Sequence, residues 1–453
     1  MSEASSSIKQ ASKWTVGAHI VVQLLKFCSN LVLTRILAQD AFGLIAVANV
    51  IMYGFALLSD TGVFQILITS KRAEDPVFRG TAWSVQIIRG GLIGAVAILA
   101  AALMHVSATY IPGLLNGTYA DERLPMILAV LGLSPLIQGF KPTKYVFALR
   151  DLKIKEVTVA ALLAQVMGSV VTITLSFLYE NVWALAIGAI AASIFDVLLC
   201  HLMLPGPRDH FVLDRTSLSD MLHVSKWIML TSATGFFVSG GDRLILAGLL
   251  DSPSLGQYAI AFMLVSVAIG LQEKLMGSVA FPALSAAARI DAPSLAVAYQ
   301  KFQRMTDGLV CFGAAFGAAA GQSLVHLLYG GKYAETTWMF CLLSAGMVST
   351  RFQPAEQCYI SCGKAHYTVL KNLLVIGALY VAIQVGYQMD GLRGAVWGVV
   401  IGQFASWPVA IYFLRQQGIA VLASSVFALP AALAGLIVGL GVDRLLSMMP
   451  RLV

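Results

Sequence analysis

The sequence predicts an all-α, polytopic membrane protein of about 13 transmembrane helices, built as two parallel-repeat six-helix bundles. Its composition, its series of long apolar stretches and an internal repeat predict this fold. Of the 453 residues, 58% are hydrophobic and 12% are charged, against about 25% charged in ordinary soluble domains. A chain with so few charges presents most of its surface to lipid. The composition therefore excludes a soluble enzyme.

Thirteen stretches approach the length of a membrane helix, which needs about 20 mostly apolar residues. They lie near residues 14–37, 42–68, 82–105, 124–148, 157–179, 182–204, 221–250, 255–281, 305–328, 336–360, 369–389, 394–414 and 421–446. An odd number of crossings places the C-terminus opposite the N-terminus. Either a further span exists or the last stretch is not a simple crossing, and the sequence leaves both open.

Lysine and arginine are concentrated in alternate loops, which predicts the orientation. The basic loops lie near residues 9–13, 71–79, 141–155, 208–215, 289–304, 364–371 and 415. Basic loops stay on the cytoplasmic side of the membrane. The N-terminus is therefore predicted to be cytoplasmic. The net charge of +7 is spread over these loops and forms no single basic patch, so nucleic acid is not an expected partner.

An internal repeat relates the two halves of the chain. A shift of 213 residues aligns Leu31–Gly43 with Leu244–Gly256 and places Asp60 on Glu273. Near that offset, Phe140-Lys141-Pro142 resembles Phe352-Gln353-Pro354. The shift carries span one onto span seven, six crossings later, so both halves have the same orientation.

The repeat predicts the domain organisation. An N-terminal lobe of spans one to six covers residues 1–209, and a C-terminal lobe of spans seven to twelve covers residues 210–418. Residues 419–453 form an additional hydrophobic segment. The polar segment Pro205 to Asp220 is the expected linker between the lobes, because it is rich in proline and charge.

Ionisable residues inside predicted spans indicate functional positions, because each costs roughly 3 kcal/mol at the centre of a bilayer. They are Lys26, Arg35, Asp60, Arg89, Asp196, Asp242, Arg243, Glu273, Lys274, Arg351 and Glu356. Arg35 and the pair Asp242-Arg243 are predicted to lie close enough to a span end to reach water. Arg351 and Glu356 are close enough along the helix to pair locally.

Lys26, Arg89, Asp60 and Lys274 lie several residues from either predicted end and indicate a polar cavity. Cations predominate in spans one and three, and such a cavity suits an anion such as phosphate or pyrophosphate. Asp60 and Glu273 either pair with these cations or bind a coupling proton or sodium ion. The sequence leaves that choice open.

Motifs for metal or nucleotide chemistry are not evident in the sequence. The six cysteines and seven histidines lack the clustered spacing of a metal site, and no phosphate-binding loop is present. No cofactor is therefore expected. Gly435 and Gly439 have the spacing of a close helix contact.

Several segments resemble a known family. Residues 31–48, Asp60-Thr-Gly62, residues 241–259 and the basic turn 150–155 resemble Wzx-type and exopolysaccharide-export flippases. These are bacterial members of the multidrug/oligosaccharidyl-lipid/polysaccharide (MOP) superfamily. The resemblance runs from about Trp14 to Leu414. The family commonly has twelve or fourteen spans, so the count of thirteen departs from it.

The resemblance implies a multi-pass protein of the bacterial inner membrane. It would move undecaprenyl-pyrophosphate-linked oligosaccharide units to the periplasmic leaflet for exopolysaccharide, O-antigen or capsule synthesis. The cations that could hold the pyrophosphate are Lys26, Arg89, Arg243 and Lys274. Membrane lipids, a polysaccharide polymerase and export machinery are the expected partners.

Two other functions stay open. A multidrug or cation exporter of the same superfamily would share the fold, although its cavity should favour acids over bases. A membrane enzyme of polysaccharide assembly would usually have a large external loop or catalytic groups outside the membrane. The longest predicted outer loop, Val106 to Glu122, is too short for that, so a transporter is favoured over an enzyme.

Overall fold

The computed structural model describes residue 17 and residues 21–111, 113–151, 153–364, 366–419 and 427–448. Lys9 and Lys13, part of the evidence for a cytoplasmic N-terminus, lie outside these residues. Within the described ranges the chain is helical and contains no strand. It forms two compact units: residues 1–236 with 251–253, and residues 237–250 with 254–453. The predicted lobe boundaries at residues 209 and 418 stay predictions.

Helices α1 to α10 begin in the first unit, and α10 continues into the second. They are α1 (21–36), α2 (Gln39–Leu58), α3 (Val63–Thr69), α4 (Pro76–Tyr110), α5 (Arg123–Leu131), α6 (Leu133–Gly139), α7 (Lys144–Arg150), α8 (Ile154–Tyr179), α9 (Val182–Met203) and α10 (Arg215–Leu249).

Polar side chains cap the N-termini of two of these helices. Asp75 accepts a hydrogen bond from Val77 N at the start of α4, with Pro76 in the first helical position. Asn181 accepts from Trp183 N at the start of α9. Both are preferred N-cap arrangements, because the side chain binds an amide that has no partner within the helix.

The second unit contains the remaining helices. They are α11 (Ser252–Leu275), α12 (Phe281–Ala288), α13 (Ala292–Tyr329), α14 (Ala334–Gly346), α15 (Gln353–Ser361), α16 (His366–Gln403), α17 (Trp407–Gln416) and α18 (Ala428–Met448). A π-helical turn, Met276–Ala280, joins α11 to α12. A 3₁₀ segment, Met347–Phe352, joins α14 to α15. Helix α16 is kinked at Asp390 and Gly391.

Small residues bring the helices of each unit together, and large apolar side chains face outward. A Cβ at Gly168 of α8 would lie 2.5 Å from Ala192 Cβ of α9. In the second unit, a Cβ at Gly435 would lie 2.3 Å from Phe312 O, and Gly439 is similarly close to Ala319. The close contact expected at Gly435 and Gly439 is thus confirmed. Leu103 and Phe177 are more than half exposed, as expected for lipid-facing positions.

By length and apolar composition, eight described helical runs could cross a membrane, or nine if α5–α6 and α7 form one bent span. Some runs contain more than one predicted span. The run Ala292–Ser361, for example, has 70 residues and includes α13, α14 and α15. The all-α, multi-pass fold class is confirmed, and the count of thirteen crossings stays a prediction.

Candidate functional site

The six predicted site residues divide evenly between the two units. Lys26, Asp60 and Arg89 belong to the first unit, and Arg243, Glu273 and Lys274 belong to the second.

Arg89 of α4 binds the end of a broken helix. Span two consists of α2 and α3, which are separated at residues 59–62, where Gly62 has a φ of 63°. The Arg89 Nη2 atom donates to Ala56 O at 2.6 Å, and its Nε atom donates to Ser59 Oγ at 3.3 Å. Carbonyl groups in the last turn of a helix have no partner within the helix, and a cation there is favoured by the helix dipole. Arg89 therefore stabilises this break.

Asp60 lies within the break itself. Its Oδ1 atom accepts a hydrogen bond from Gly62 N at 3.1 Å, which fixes the turn. It is also close enough to Arg89 for electrostatic attraction. The structure thus brings Asp60 and Arg89 into one polar region of the first unit.

Lys26 is an exposed residue of α1. In the described part of the chain its amine makes no hydrogen bond or ion pair.

The two residues of the Asp242-Arg243 pair differ in burial, and the Arg243 side chain is 20% exposed, so the predicted access of the pair to water stays a prediction. Asp242 is 3% exposed and accepts a hydrogen bond from Tyr258 Oη at 2.5 Å. Arg243 Nε lies 3.4 Å from Asp242 Oδ1, and its Nη2 atom donates to Ser239 O. The Arg243 guanidinium also lies 4.2 Å from the centre of the Phe262 ring. These contacts hold Arg243 against Asp242, the helix backbone and an aromatic ring.

Glu273 and Lys274 end helix α11, next to the π-helical turn. Glu273 is exposed, and it lies close enough to Glu356 for charge repulsion. Lys274 is half-buried, and its amine has no hydrogen bond or ion pair within the described ranges. π-Helical turns are frequent at functional sites. Glu273 therefore remains a candidate for binding a coupling cation, and Lys274 remains a candidate for binding an anion.

The predicted local pairing of Arg351 with Glu356 is wrong. Arg351 instead binds Asp307 of α13, through Nε to Oδ1 and Nη2 to Oδ2, each at 3.1 Å. Glu356 binds Lys371 Nζ at 2.7 Å. Arg351 lies in the 3₁₀ segment and Glu356 in α15, and each binds a residue of a different helix. The sequence reasoning omitted Asp307 because it lies near the predicted start of span nine, whereas α13 begins at Ala292.

The first unit has a corresponding ion pair. Lys141, just after α6, binds Asp196 of α9 with an Nζ to Oδ2 distance of 2.9 Å. The Lys141 amine also lies 3.9 Å from the centre of the Tyr145 ring. Gln138 Nε2 donates to the same Asp196 oxygen at 3.2 Å. The intramembrane charge of Asp196 is therefore balanced within the protein.

The predicted linker lies against the first unit. Asp209 accepts hydrogen bonds from Thr143 N at 2.8 Å and from Thr143 Oγ1 at 2.5 Å. Val212 N donates to Ser84 Oγ at 2.9 Å, and Asp214 N donates to Thr81 Oγ1 at 3.1 Å. Side chains of α4 and the α6–α7 turn thus fix the path of the chain into α10.

A second group of charges lies outside the membrane-spanning segments, at the start of α5. Arg123 binds Asp40 at 2.7 Å and Asp121 at 2.8 Å, and Ser252 Oγ donates to Asp121 Oδ2 at 3.0 Å. Burial opposes ionisation of Asp121, but the hydrogen bonds from Arg123 and Ser252 outweigh it and lower the pKa of Asp121. This carboxylate is fixed by protein contacts rather than free for ligand binding.

The described residues offer no evident metal site, and one small cavity lies in the second unit. They include no group of three or more His, Cys, Asp or Glu side chains that could hold a metal ion. A cavity of about 20 Å³ in the second unit is lined partly by Gly346, Met347 and Gln403. It has room for about one water molecule, which is far too small for a sugar headgroup.

A family model described as "Polysaccharide biosynthesis protein" matches residues 32–337, more than half of the chain. The chain belongs to this family. The lipopolysaccharide biosynthesis protein WzxC of Escherichia coli (strain K12) is 22% identical over 412 residues, covering 89% of this chain and 80% of WzxC. The succinoglycan biosynthesis transport protein ExoT of Rhizobium meliloti (strain 1021) is 24% identical over 172 residues. That match covers 38% of this chain and 32% of ExoT.

Solved structures show the same fold. The lipid II flippase MurJ, in an inward closed conformation, has a TM-score of 0.70 at 11% identity and covers 95% of this chain and 97% of MurJ. An inward-facing multidrug resistance MATE family transporter of the MOP superfamily has a TM-score of 0.68 at 16% identity. The match covers 89% of this chain and 98% of that transporter. The family member described here therefore has the MOP-superfamily fold. The predicted family and the prediction of a transporter rather than an enzyme are confirmed.

Proposed function

We propose that this protein flips undecaprenyl-pyrophosphate-linked oligosaccharide units from the cytoplasmic to the periplasmic leaflet of the bacterial inner membrane. The product would supply exopolysaccharide, O-antigen or capsule synthesis. The observation that carries this proposal is the family match over residues 32–337. It is supported by the similarity to WzxC over most of both chains.

The physical task explains why such a protein needs cations within its spans. A sugar-pyrophosphate headgroup would have to bring polar and charged groups through hydrocarbon, at a cost of many kcal/mol. A hydrated basic path removes most of that cost, while the lipid tail stays in the bilayer. Movement of the two repeats against each other would expose this path to each side in turn.

The proposed pyrophosphate contacts are Lys26, Arg89, Arg243 and Lys274, and they differ in availability. The amines of Lys26 and Lys274 make no hydrogen bond or ion pair in the described ranges. Arg89 and Arg243 each donate a hydrogen bond to a backbone carbonyl group. Each would have to exchange that partner to bind substrate. We expect the two lysines to make the first contacts. Asp60 and Glu273 are the proposed acids for charge pairing or for a coupling proton or sodium ion.

The proposed orientation has a cytoplasmic N-terminus, because the basic loops alternate with loops that contain few cations. The sugar units would then enter from the side where they are assembled. A polysaccharide polymerase and export machinery would act on them after release into the periplasmic leaflet.

Depletion of the protein tests the flipping proposal directly. We expect lipid-pyrophosphate-linked oligosaccharide to accumulate on the cytoplasmic side, where a periplasmic glycan-processing enzyme cannot modify it. If these units reach the periplasmic leaflet at the normal rate, the flippase proposal fails. Increased sensitivity to cationic drugs in the same cells would then favour the exporter.

Charge-removing variants test the basic path. Lys26→Gln and Lys274→Gln should reduce export strongly while membrane insertion is retained, because each removes a cation available to the pyrophosphate. Lys155→Gln and Lys301→Gln are matched controls, because both lysines are exposed residues near the start of a long helix. Equal export by all four variants would rule out Lys26 and Lys274 as contacts.

A further inference from the structure

The fourth helix of each sequence repeat is interrupted at corresponding positions. In the first unit, α6 ends at Gly139 and α7 begins at Lys144, and the chain bends by 65° between them. In the second unit, the 3₁₀ segment Met347–Phe352 separates α14 from α15. The matched tripeptides lie at the two breaks: residues 140–142 fall within the first interruption, and residues 352–354 span the end of the 3₁₀ segment and the start of α15. Each interruption leaves backbone carbonyl groups without the usual helical partner.

A glutamine from the third helix binds these carbonyl groups in the first unit. The Gln86 Nε2 atom of α4 lies 3.2 Å from Gln138 O, 3.2 Å from Gly139 O and 3.3 Å from Lys141 O. The carbonyl between them, Phe140 O, accepts a hydrogen bond from the His201 ring at 2.9 Å. Four successive carbonyl groups, two at the end of α6 and two in the interruption, therefore lie near side-chain donors, and Gln138 O also accepts from Lys141 N.

A glutamine from the third helix of the second unit has the same role. Gln303 Nε2 of α13 donates to Arg351 O at 3.0 Å and to Asp307 Oδ1 at 2.8 Å. The two preceding carbonyl groups are also bound: Thr350 O by Gln272 Nε2 at 2.9 Å and Ser349 O by Trp407 Nε1 at 2.9 Å. Three successive carbonyl groups thus accept hydrogen bonds from three different side chains.

Close helix contacts allow each glutamine to reach its interruption. In the first unit, a Cβ at Gly90 would lie 2.3 Å from Pro135 O, and one at Gly139 would lie 3.0 Å from Ile87 Cα. In the second unit, a Cβ at Gly317 would lie 2.5 Å from Ser344 Oγ. The third and fourth helices of both units therefore approach each other through small residues, as the amide contact requires.

We propose that Gln86 and Gln303 are equivalent positioning residues that clamp the interrupted fourth helix of each repeat. An unbound carbonyl group is costly inside a membrane, so the glutamine favours one geometry of the interruption. That geometry places Lys141 against Asp196 in the first unit and Arg351 against Asp307 in the second. Interrupted helices at corresponding positions of two repeats are typical of transport paths. The consequence for transport rests on the proposed flippase function, whereas the clamp itself does not.

Native cysteines report on each clamp separately. Cys200 is buried at the first interruption, in a cluster with Ala148 of α7. Cys358 is buried in α15, directly after the second interruption. Cys28 is exposed and serves as the reference for labelling.

The experiment labels the full-length protein in membranes with a permeant maleimide and measures each cysteine by peptide mass spectrometry. Gln86→Met and Gln303→Met keep the length of the side chain and remove its hydrogen-bond donors. We expect about tenfold faster labelling of Cys200 in Gln86→Met with Cys358 unchanged, and the reverse in Gln303→Met. This factor corresponds to about 1.4 kcal/mol of lost protection, the order of one or two buried hydrogen bonds. Gln165→Met is the matched control, because Gln165 bonds only one turn away, to Ser169.

Selective exposure of the matching cysteine supports the proposal, and flipping should slow in both variants but not in the control. Unchanged labelling of Cys200 and Cys358 overturns it. Simultaneous exposure of both cysteines in either variant also overturns it, because that pattern shows general unfolding rather than release of one interruption. Failure of the flippase function would appear in the depletion experiment and would leave the labelling result intact.

Discussion

In the first unit the cation at the interrupted fourth helix is a lysine with one carboxylate contact, and in the second it is an arginine with two. The side chains of Lys141 and Asp196 are 19% and 21% exposed. Arg351 and Asp307 are 12% and 0% exposed. The second pair is therefore deeper, and Gln303 adds a hydrogen bond to the Asp307 carboxylate.

This difference shows how depth determines the number of contacts that an ion pair needs. The desolvation cost of a buried charge is offset only when the geometry of the ion pair is good and the remaining lone pairs accept hydrogen bonds. The partly exposed pair has a single contact between its charges, with one further hydrogen bond from Gln138 to Asp196. The repeat therefore conserves the interrupted helix, while the polar contacts around it are adapted to the local depth.

Neutralising the carboxylate of each ion pair should give the largest difference in stability between the two units. Asp307→Asn leaves the buried Arg351 guanidinium without its counter-charge, which costs about 3–5 kcal/mol. Asp196→Asn should cost about 1–2 kcal/mol, because Lys141 retains partial exposure. The measurement is the midpoint of thermal unfolding in one detergent, and Asp307→Asn should lower it more.

The double variant Asp307→Asn with Arg351→Met is the control for an unpaired charge. It removes both charges and should recover most of the lost stability, because replacing both partners of a buried pair is often nearly neutral. An equal loss in the single and double variants would mean that packing, rather than the unpaired charge, determines the effect.

Small-residue contacts between the third and fourth helices provide a second comparison. A Cβ at Gly90 would meet the backbone oxygen of Pro135, whereas one at Gly317 would meet the side-chain oxygen of Ser344. A serine side chain can move more readily than a backbone carbonyl. Gly90→Ala should therefore destabilise the protein by about 1–3 kcal/mol, and Gly317→Ala by less.

Gly91 provides the matched control for Gly90. A Cβ at Gly91 would lie 3.8 Å from Leu136 Cδ1, which is ordinary contact. Gly91→Ala should leave the unfolding midpoint near that of the wild type. If both alanine variants in α4 lower it equally, helix propensity rather than the close approach explains the loss.

The sequence could predict the fold class and the family, because both depend on long apolar stretches and on the motifs at residues 31–48 and 241–259. It could also locate Arg89 as a constrained charge, since a cation in an apolar span requires a partner. The partner itself was not predictable: Ala56 O accepts side-chain hydrogen bonds from Arg89 and Ser59 because α2 ends at Leu58.

The polar side chains at the interruptions were harder to predict. Gln86 and Gln303 have no charge, so neither gives the strong signal of an ionisable residue in a span. Asp307 lay near the predicted start of span nine, whereas the helix in the structure begins at Ala292. Their importance depends on where the fourth helix breaks, and such boundaries are the least certain part of sequence reasoning.

The smallest expected effect concerns two aspartates that begin helices outside the membrane, one in each unit. Asp214 precedes α10 and accepts hydrogen bonds from Thr216 Oγ1, Ser217 N and Ser217 Oγ, which lower its pKa to about 2. Asp291 precedes α13, and hydrogen bonds from Ser294 lower its pKa. The Asp214 carboxylate accepts more hydrogen bonds than that of Asp291, so the start of α10 should keep its protection to a lower pH.

Both carboxylates stabilise the folded state at neutral pH, because folding lowers their pKa values. A carboxyl group whose pKa is lowered by folding stabilises the folded state above its unfolded pKa, about 3.9 for aspartate. That stabilisation is lost as the pH falls from there towards the folded pKa. We expect hydrogen exchange at the first turns of α10 and α13 to show full protection from pH 7 to pH 5. On further acidification α13 should lose protection first, and Asp214→Asn and Asp291→Asn should remove the acid-dependent step from their own helices only. Loss of protection at the same pH in both helices would show that the additional donors to Asp214 do not distinguish the two units.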